Sequence, residues 1–304
     1  MHAAHGKVIL LGEHSVVYGH PALAGALADG ATVELQPGSG KLRVPAWTLE
    51  VSGVDGGAEE QTSIGRAYRA IRARLGLGIA SPVDLTVTFL VPTGAGLGSS
   101  AAMAVAVARA LKAAHGLSAT DEDLADAAMA SETVVHGKPS GLDHTVALKG
   151  GFGIFTRAGG LVPVRAAQPV TLVIGHTGRE RDTKGRVQRV AELHAERGDE
   201  IRARFVAIAQ LVERGRVAVM EGNAGELGSA MNENQRHLQA LEVSCVEIER
   251  LCAIASDAGA AGAKLTGGGG GGCVIALAPG RENVVRDAWE RAGHRAFVTT
   301  VGGQ

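Results

Sequence analysis

Aromatic residues are scarce in this chain: five Phe, two Tyr and two Trp make up 3% of 304 residues. Single-stranded nucleic acid is bound largely by stacking bases on aromatic rings, and this chain has few such platforms. An excess of one charge is also lacking. Thirty Lys and Arg against 31 Asp and Glu leave a formal net charge of −1, so no basic field points to nucleic acid. The three cysteines, Cys245, Cys252 and Cys273, are odd in number and scattered. They form neither a disulfide framework nor a metal-spaced cluster, and a reducing compartment suits them. Long apolar runs are missing as well. The stretch 8–11 is too short for a signal peptide, and the Ala/Val-rich run 101–108 stops at Arg109, well short of a membrane span. A cytoplasmic protein without nucleic-acid or membrane partners is expected.

What the chain does have is length, an apolar content of 45% and 44 glycines, enough for two domains or one large one with a real core. Strand-like runs occur at 7–12, 32–36, 41–53 and 83–92, with Gly/Pro-flanked hairpins around 41–61. Ile64, Ala67, Tyr68 and Ile71 recur at helical spacing in 63–76. The stretch 98–116 reads as a buried helix of small residues opened by serines able to cap it, and Thr120 with Asp123 makes a capping box for the next helix. Composition shifts near 166–169, which places a boundary between 1–167 and 168–304. Beyond it come a buried strand at 169–175, Arg-rich helices over 179–221, two further helices, and strands "CVIAL" and "AFVTT" around a helix at 281–292.

Three segments carry chemistry. "PTGAGLGSSAAMAVAVARAL" (92–111) joins a strand to a helix through glycines, where bare backbone and unpaired helix N–H groups favour an anion. It lacks the Gly-Lys-Ser/Thr close of a Walker loop, the dinucleotide G-x-G-x-x-G, the nucleophile elbow and the protein-kinase signatures. An ordinary tight connection would use the same residues, but the density of small residues favours phosphate. In "ASETVVHGKPSGLDHTVALKGG" (130–151), Glu132 alone reads as a solvated helix residue and Asp143, after a turn, as a helix cap. In "GKVILLGEHSVVYGHPALAGAL" (6–27), Lys7 alone reads as a snorkelling lysine and His14 as a structural histidine. The basic series Arg179, Arg181, Lys184, Arg186 and Arg189 reads as a solvated helix face. A partial exception is Arg181 and Lys184, which flank Thr183.

A fourth segment, "AKLTGGGGGGC" (263–273), holds six glycines in a row. Such a run usually marks a tether. Here it is expected to join a helical segment directly to the strand "CVIAL", which makes it a packed loop.

With these segments in view, the chain resembles the GHMP kinase superfamily. The residues from Pro92 to Ala102 match its P-x-x-x-G-L-G-S-S-A-A loop, and 263–273 matches its glycine-rich C-terminal motif. The segments 6–24, 131–143, 176–187 and 231–251 are most similar to its mevalonate-phosphorylating members. The resemblance implies an α+β (mixed α/β) two-domain fold, an N-terminal ribosomal-protein-S5-domain-2-like domain and a C-terminal ferredoxin-like α/β domain, with the active site in the cleft between them. It implies ATP and mevalonate as substrates, a homodimer, and Mg²⁺ held by Ser100 and Glu132. It assigns Asp143 as acceptor of the substrate hydroxyl proton, with Lys7 beside it. Pro92, Gly94, Ala95, Gly96, Leu97, Gly98, Ser99 and Ser100 would wrap the nucleotide phosphates. Glu13, His14, Thr183, Gly268 and Gly269 would join Lys7 and Asp143 on the substrate side. Two departures stand out: His5 where the family has proline, and His144 where it commonly has asparagine. Another small alcohol (phosphomevalonate, homoserine or a sugar) is the alternative substrate, and a non-catalytic sensor on this fold is the alternative of a different class.

Overall fold

β1 (His2–Leu11) opens the chain because Val8, Ile9, Leu10 and Leu11 are all buried, the continuous apolar run of a strand covered on both faces. The computed structural model describes residues 1–51, 62–78, 83–137 and 139–302. The strand and hairpin expected to continue over 52–61 lie outside the described residues. Contacts group the chain into two units. The first takes 1–7, 29–93 and 98–149; the second takes 8–28, 94–97 and 150–304.

In the first unit, β2 (Ala22–Pro37) contributes its second half, which pairs antiparallel with β5 (Val83–Phe89). β3 (Leu42–Val44) and β4 (Leu49–Val51) form a hairpin around a 3₁₀ turn, and β3 runs parallel to β5. α1 (Ser63–Arg74) starts where the Thr62 hydroxyl accepts the Gly65 N–H at 3.0 Å, and it buries Ala67, Tyr68 and Ile71. α2 (Ser99–Ala114) is rich in Ala and Val, so neighbours approach it closely and 11 of its 16 residues are buried. Its serines do not cap it, contrary to expectation. Gly98, with φ 74°, takes the N-cap position, while Ser99 and Ser100 are already helical. α3 (Asp121–His136) begins with the expected capping box of Thr120 and Asp123. α4 (Leu142–Lys149) completes the unit, packing on α2 and α3.

In the second unit, the first half of β2 pairs with β6 (Phe152–Thr156), itself in a hairpin with β7 (Gly160–Val164). β8 (Val170–His176) leads into the helices α5 (Thr183–Glu196), α6 (Gly198–Glu221), α7 (Ala224–Ala240) and α8 (Val246–Asp257). β9 (Gly262–Thr266), β10 (Cys273–Leu277), α9 (Glu282–Arg291) and β11 (Ala296–Val301) follow, with antiparallel order β11-β8-β10-β9. The core gathers Phe205, Leu238, Leu251, Ile248 and Trp289, whose indole N–H donates to the Leu251 carbonyl at 2.9 Å.

β9 overturns one expectation: the glycine run joins two paired strands, not a helix to a strand. β9 ends the sheet path, so its outward N–H groups need other partners. α7 supplies them: Asn232 accepts from Ala263 N–H at 2.9 Å and Gln235 from Leu265 N–H at 3.0 Å. Among the described residues, no helix is long and apolar enough to cross a membrane.

Candidate active site

In the first unit, Lys7 is not a snorkelling lysine. It is 3% exposed, and its Nζ stands 3.2 Å from Asp143 Oδ1. Asp143 lies in the first turn of α4 and is not its cap; its side chain is 34% exposed, so the pair has one open end. Gly98 explains how the loop before α2 reaches this pair. A Cβ on Gly98 would stand 2.8 Å from Lys7 Cγ and 3.3 Å from the Lys7 backbone nitrogen, so only glycine lets the chain pass.

Two residues past Gly98, in α2, Ser100 Oγ donates to Glu132 Oε1 at 2.6 Å. Glu132 is 3% exposed, which rules out the solvated reading, and His136 Nε2 lies 3.7 Å from its other oxygen. A buried carboxylate facing a hydroxyl is a pair of hard oxygen donors, the chemistry Mg²⁺ prefers. Among the described residues no three His, Cys, Asp or Glu side chains cluster as a metal cage. Two protein ligands fit an ion that takes its remaining ligands from water and phosphate. Burial pushes the His144 imidazole below its ordinary range, against the pull of the neighbouring Asp143 carboxylate.

In the second unit, a tight turn follows β1. Glu13 is 1% exposed, and Lys264 Nζ donates to its Oε1 while Asn234 Nδ2 donates to Oε2 at 3.1 Å. His14 has φ 61°, unusual for a residue with a side chain, and its Nε2 lies 3.0 Å from the Gly268 carbonyl oxygen. A carbonyl only accepts, so Nε2 carries the hydrogen. Burial pushes this imidazole down to about 4, and the charges of Arg186 and Lys264 add to the effect against the Gly268 bond. At neutral pH the ring is therefore uncharged, with Nδ1 left as an acceptor. Thr183 opens α5, capped by Asp182, and its hydroxyl oxygen would lie 2.6 Å from a Cβ on Gly268.

The phosphate-loop residues are shared. Pro92, Gly98, Ser99 and Ser100 belong to the first unit, whereas Gly94, Ala95, Gly96 and Leu97 group with the second. There they lie against the glycine run: a Cβ on Gly272 would be 3.1 Å from the Ala95 carbonyl oxygen, and one on Gly96 3.6 Å from that of Thr266. Arg181 Nη1 would stand 3.6 Å from the same Gly96 Cβ. Three others of the basic series make ion pairs or hydrogen bonds. Arg179 pairs with Glu247 at 3.5 Å, Arg189 bonds Glu242 at 2.9 Å, and Arg186 donates to the Glu242 carbonyl at 2.9 Å. The solvated-face reading thus holds for Arg179 and Arg189, whereas Arg186 lies against the glycine run, its Nε 2.8 Å from where a Cβ on Gly270 would stand.

Three residues escaped the sequence reading: Lys264, Asn234 and Thr266, whose Oγ1 accepts from Ile9 N–H at 3.0 Å and donates to the Ile9 carbonyl at 3.1 Å. A signal existed for Asn234. The spacing Leu227, Ala230, Met231, Asn234, Leu238 puts it on the apolar face of α7.

A buried ammonium paired with an acid, a glycine-bounded helix start, and a hydroxyl–carboxylate pair make a site for moving a phosphoryl group onto a hydroxyl. The class of protein is a kinase of small molecules. The "GHMP kinases N terminal domain" matches residues 62–151 and "GHMP kinases C terminal" matches 216–295. A protein of Pyrococcus horikoshii named mevalonate kinase is 36% identical, covering 98% of this chain and 94% of its own length. One of the same name from Aeropyrum pernix is 36% identical over 90% and 87%. The crystal structure of L. major mevalonate kinase in complex with R-mevalonate superimposes with a TM-score of 0.86 at 28% identity, covering 99% of this chain and 95% of that one. This chain belongs to the mevalonate kinase family of GHMP kinases.

Proposed function

We propose that this chain transfers the γ-phosphoryl group of ATP to the 5-hydroxyl of mevalonate, yielding 5-phosphomevalonate and ADP. The observation that carries the chemistry is the Lys7–Asp143 pair at 3.2 Å, held against the glycine turn at 98. The choice of alcohol is supported by the 36% identity over nearly the whole chain to a relative named for mevalonate.

Asp143 accepts the proton as the substrate oxygen forms its bond to phosphorus and the bond to the β-phosphate oxygen breaks. Lys7 steadies the Asp143 carboxylate by its opposite charge and stabilises negative charge on the reacting oxygens. Gly94 to Ser100 offer backbone N–H groups to the phosphates. Ser100 and Glu132 would hold Mg²⁺, which when bound neutralises phosphate charge. Neutral His14 presents Nδ1 as a hydrogen-bond acceptor, Thr183 contributes a hydroxyl, and Gly268 and Gly269 form the backbone wall beside them. Arg181 and Lys184, which make no ion pair among the described residues, supply positive charge for an anionic substrate.

A panel of mevalonate, phosphomevalonate, homoserine and galactose in a coupled ADP-release assay tests the reading. Turnover with mevalonate is expected to dominate; preference for another alcohol reassigns the substrate, and no turnover with any favours a sensor. Glu132→Ala is expected to shift the Mg²⁺ concentration for half-maximal rate upward by about tenfold or more, the cost of losing an ionised ligand. An unchanged Mg²⁺ titration removes Glu132 from the metal.

The domain division at 1–167 and 168–304 belongs to the same proposal, supported by family matches that fall on either side of it. So does a cytoplasmic location, in keeping with three free cysteines. The proposed homodimer is supported by exposed Val206, Val217 and Met220, which fall on one side of α6. Light scattering at twice the 31.0 kDa chain mass is expected, and a monomer mass overturns it.

A further inference from the structure

We infer that Lys264 and Asn234 are positioning residues for the alcohol substrate: by taking both carboxylate oxygens of Glu13, they hold the His14 imidazole and the Gly268 backbone in the arrangement that receives it. The inference rests on the kinase reading above and deepens it by giving Glu13 a supporting place in the same site.

Glu13 has almost no surface to offer a ligand. It is 1% exposed, with one oxygen bonded to Lys264 and the other to Asn234 at 3.1 Å. Lys264 is fully buried, and its ammonium also donates to the Leu265 carbonyl. A buried ion pair is poor at raising stability, because desolvating both charges offsets their attraction; apolar replacements are often as stable. What such a pair does well is fix geometry.

The geometry here is specific. Lys264 and Thr266 alternate along β9, so their side chains face one way, and the Gly268 carbonyl follows just beyond the strand's end. They engage, in turn, Glu13, the backbone of Ile9 and the His14 ring. The strand that carries the glycine run is thereby fastened at three points to β1 and the turn after it. The turn needs fastening, since His14 sits at φ 61° and ψ −48°, a strained backbone that persists only when its surroundings hold it.

Asn234 carries a cost that points the same way. Its Oδ1 is buried without a hydrogen-bond partner, a loss that stability alone would select against. The carboxylate dictates this orientation: it can only accept, so the amide must turn its NH₂ toward Glu13.

Two variants separate positioning from stability. Glu13→Gln with Lys264→Met removes both charges together, so neither is left buried and unpaired. Asn234→Leu keeps the ion pair and removes the unpartnered oxygen. The double variant is expected to fold with a melting temperature near the parent, and Asn234→Leu, which leaves Glu13 Oε2 without its donor, to melt a few degrees lower while staying folded at assay temperature. Both are also expected to raise KM for mevalonate, the double variant by about tenfold or more, with KM for ATP within about twofold. Unchanged KM for mevalonate, or both KM values rising together, overturns the inference. A second readout needs no substrate: the His14 Nε2–H signal in NMR spectra of the full chain, hydrogen-bonded at neutral pH, is expected to shift or broaden in both variants. If it stays put in both, the inference fails whatever the enzyme phosphorylates. If the parent phosphorylates no mevalonate, it is the kinase reading that fails, and the His14 signal still decides the positioning.

Discussion

Asp143→Asn is expected to lower kcat by roughly two to four orders of magnitude, the range general-base removal covers, while KM for ATP stays near the parent value. Asparagine keeps the shape of the side chain at the start of α4 but cannot accept a proton, and it withdraws the negative charge 3.2 Å from the Lys7 ammonium. Lys7 is 3% exposed, so water cannot replace that carboxylate fully. A moderate fall in melting temperature is therefore expected beside the kinetic loss. The two effects are separated by measuring the rate well below the melting transition, with circular dichroism confirming the folded state. If the transition state is loose, proton abstraction comes late and the carboxylate acts more by orienting the hydroxyl, which places the loss at the lower end of the range. Near-parent turnover in a folded Asp143→Asn protein would remove Asp143 from the reaction. The partner variant Lys7→Met distinguishes the roles: it removes the cation and leaves the base, so its loss of kcat reports the charge stabilisation alone.

The elements that the sequence disclosed are those whose own residues determine them. α1 shows its period in Ala67, Tyr68 and Ile71, and α3 announces itself through Thr120 and Asp123. The mutual positions of Lys7 with Asp143 and of Ser100 with Glu132 came from the resemblance of whole segments. Taken singly, Lys7 and Glu132 have bland readings that burial excludes, and Asp143 and Ser100 have cap readings that their places inside α4 and α2 exclude. β9 was missed because GAKLT is five residues long with a lysine in the middle. Nothing local says that Lys264 meets a carboxylate 251 positions away. The serine caps failed for a related reason. Gly98 takes a left-handed conformation that a capping serine would not favour, and it does so because β1 passes close by at Lys7. Local signals report local causes; a buried charge or a bare backbone position is explained by whatever the fold brings against it.

Gly269→Val is expected to reduce kcat/KM by about a hundredfold or more, the loss that displacing substrate-positioning groups by an ångström can cause. Six glycines would tolerate valine in a tether, and this run does not behave as one. Gly269 has φ 77°, which costs a residue bearing a Cβ about 1–2 kcal/mol. The larger problem is space, since a Cβ there would lie 2.1 Å from the Val243 carbonyl oxygen. That carbonyl also accepts the Gly270 N–H at 2.9 Å, so the new side chain would break the bond that anchors the loop. Relief on the other side is blocked too. A Cβ on Gly271 would meet the Glu180 carbonyl oxygen at 2.4 Å, so the run is enclosed by backbone on both sides. The whole loop must therefore shift, and it carries Gly268, whose carbonyl receives His14. A matched control is Gly280→Val. It has nearly the same φ, 74°, but nothing within 4 Å of its Cβ position. It should suffer the backbone strain alone and keep its activity. If Gly269→Val and Gly280→Val lose the same stability and both remain active, the run is a tether after all. If only the first loses activity while folded, Gly268 to Gly272 are there because carbonyls, a threonine and an arginine occupy the space their side chains would need.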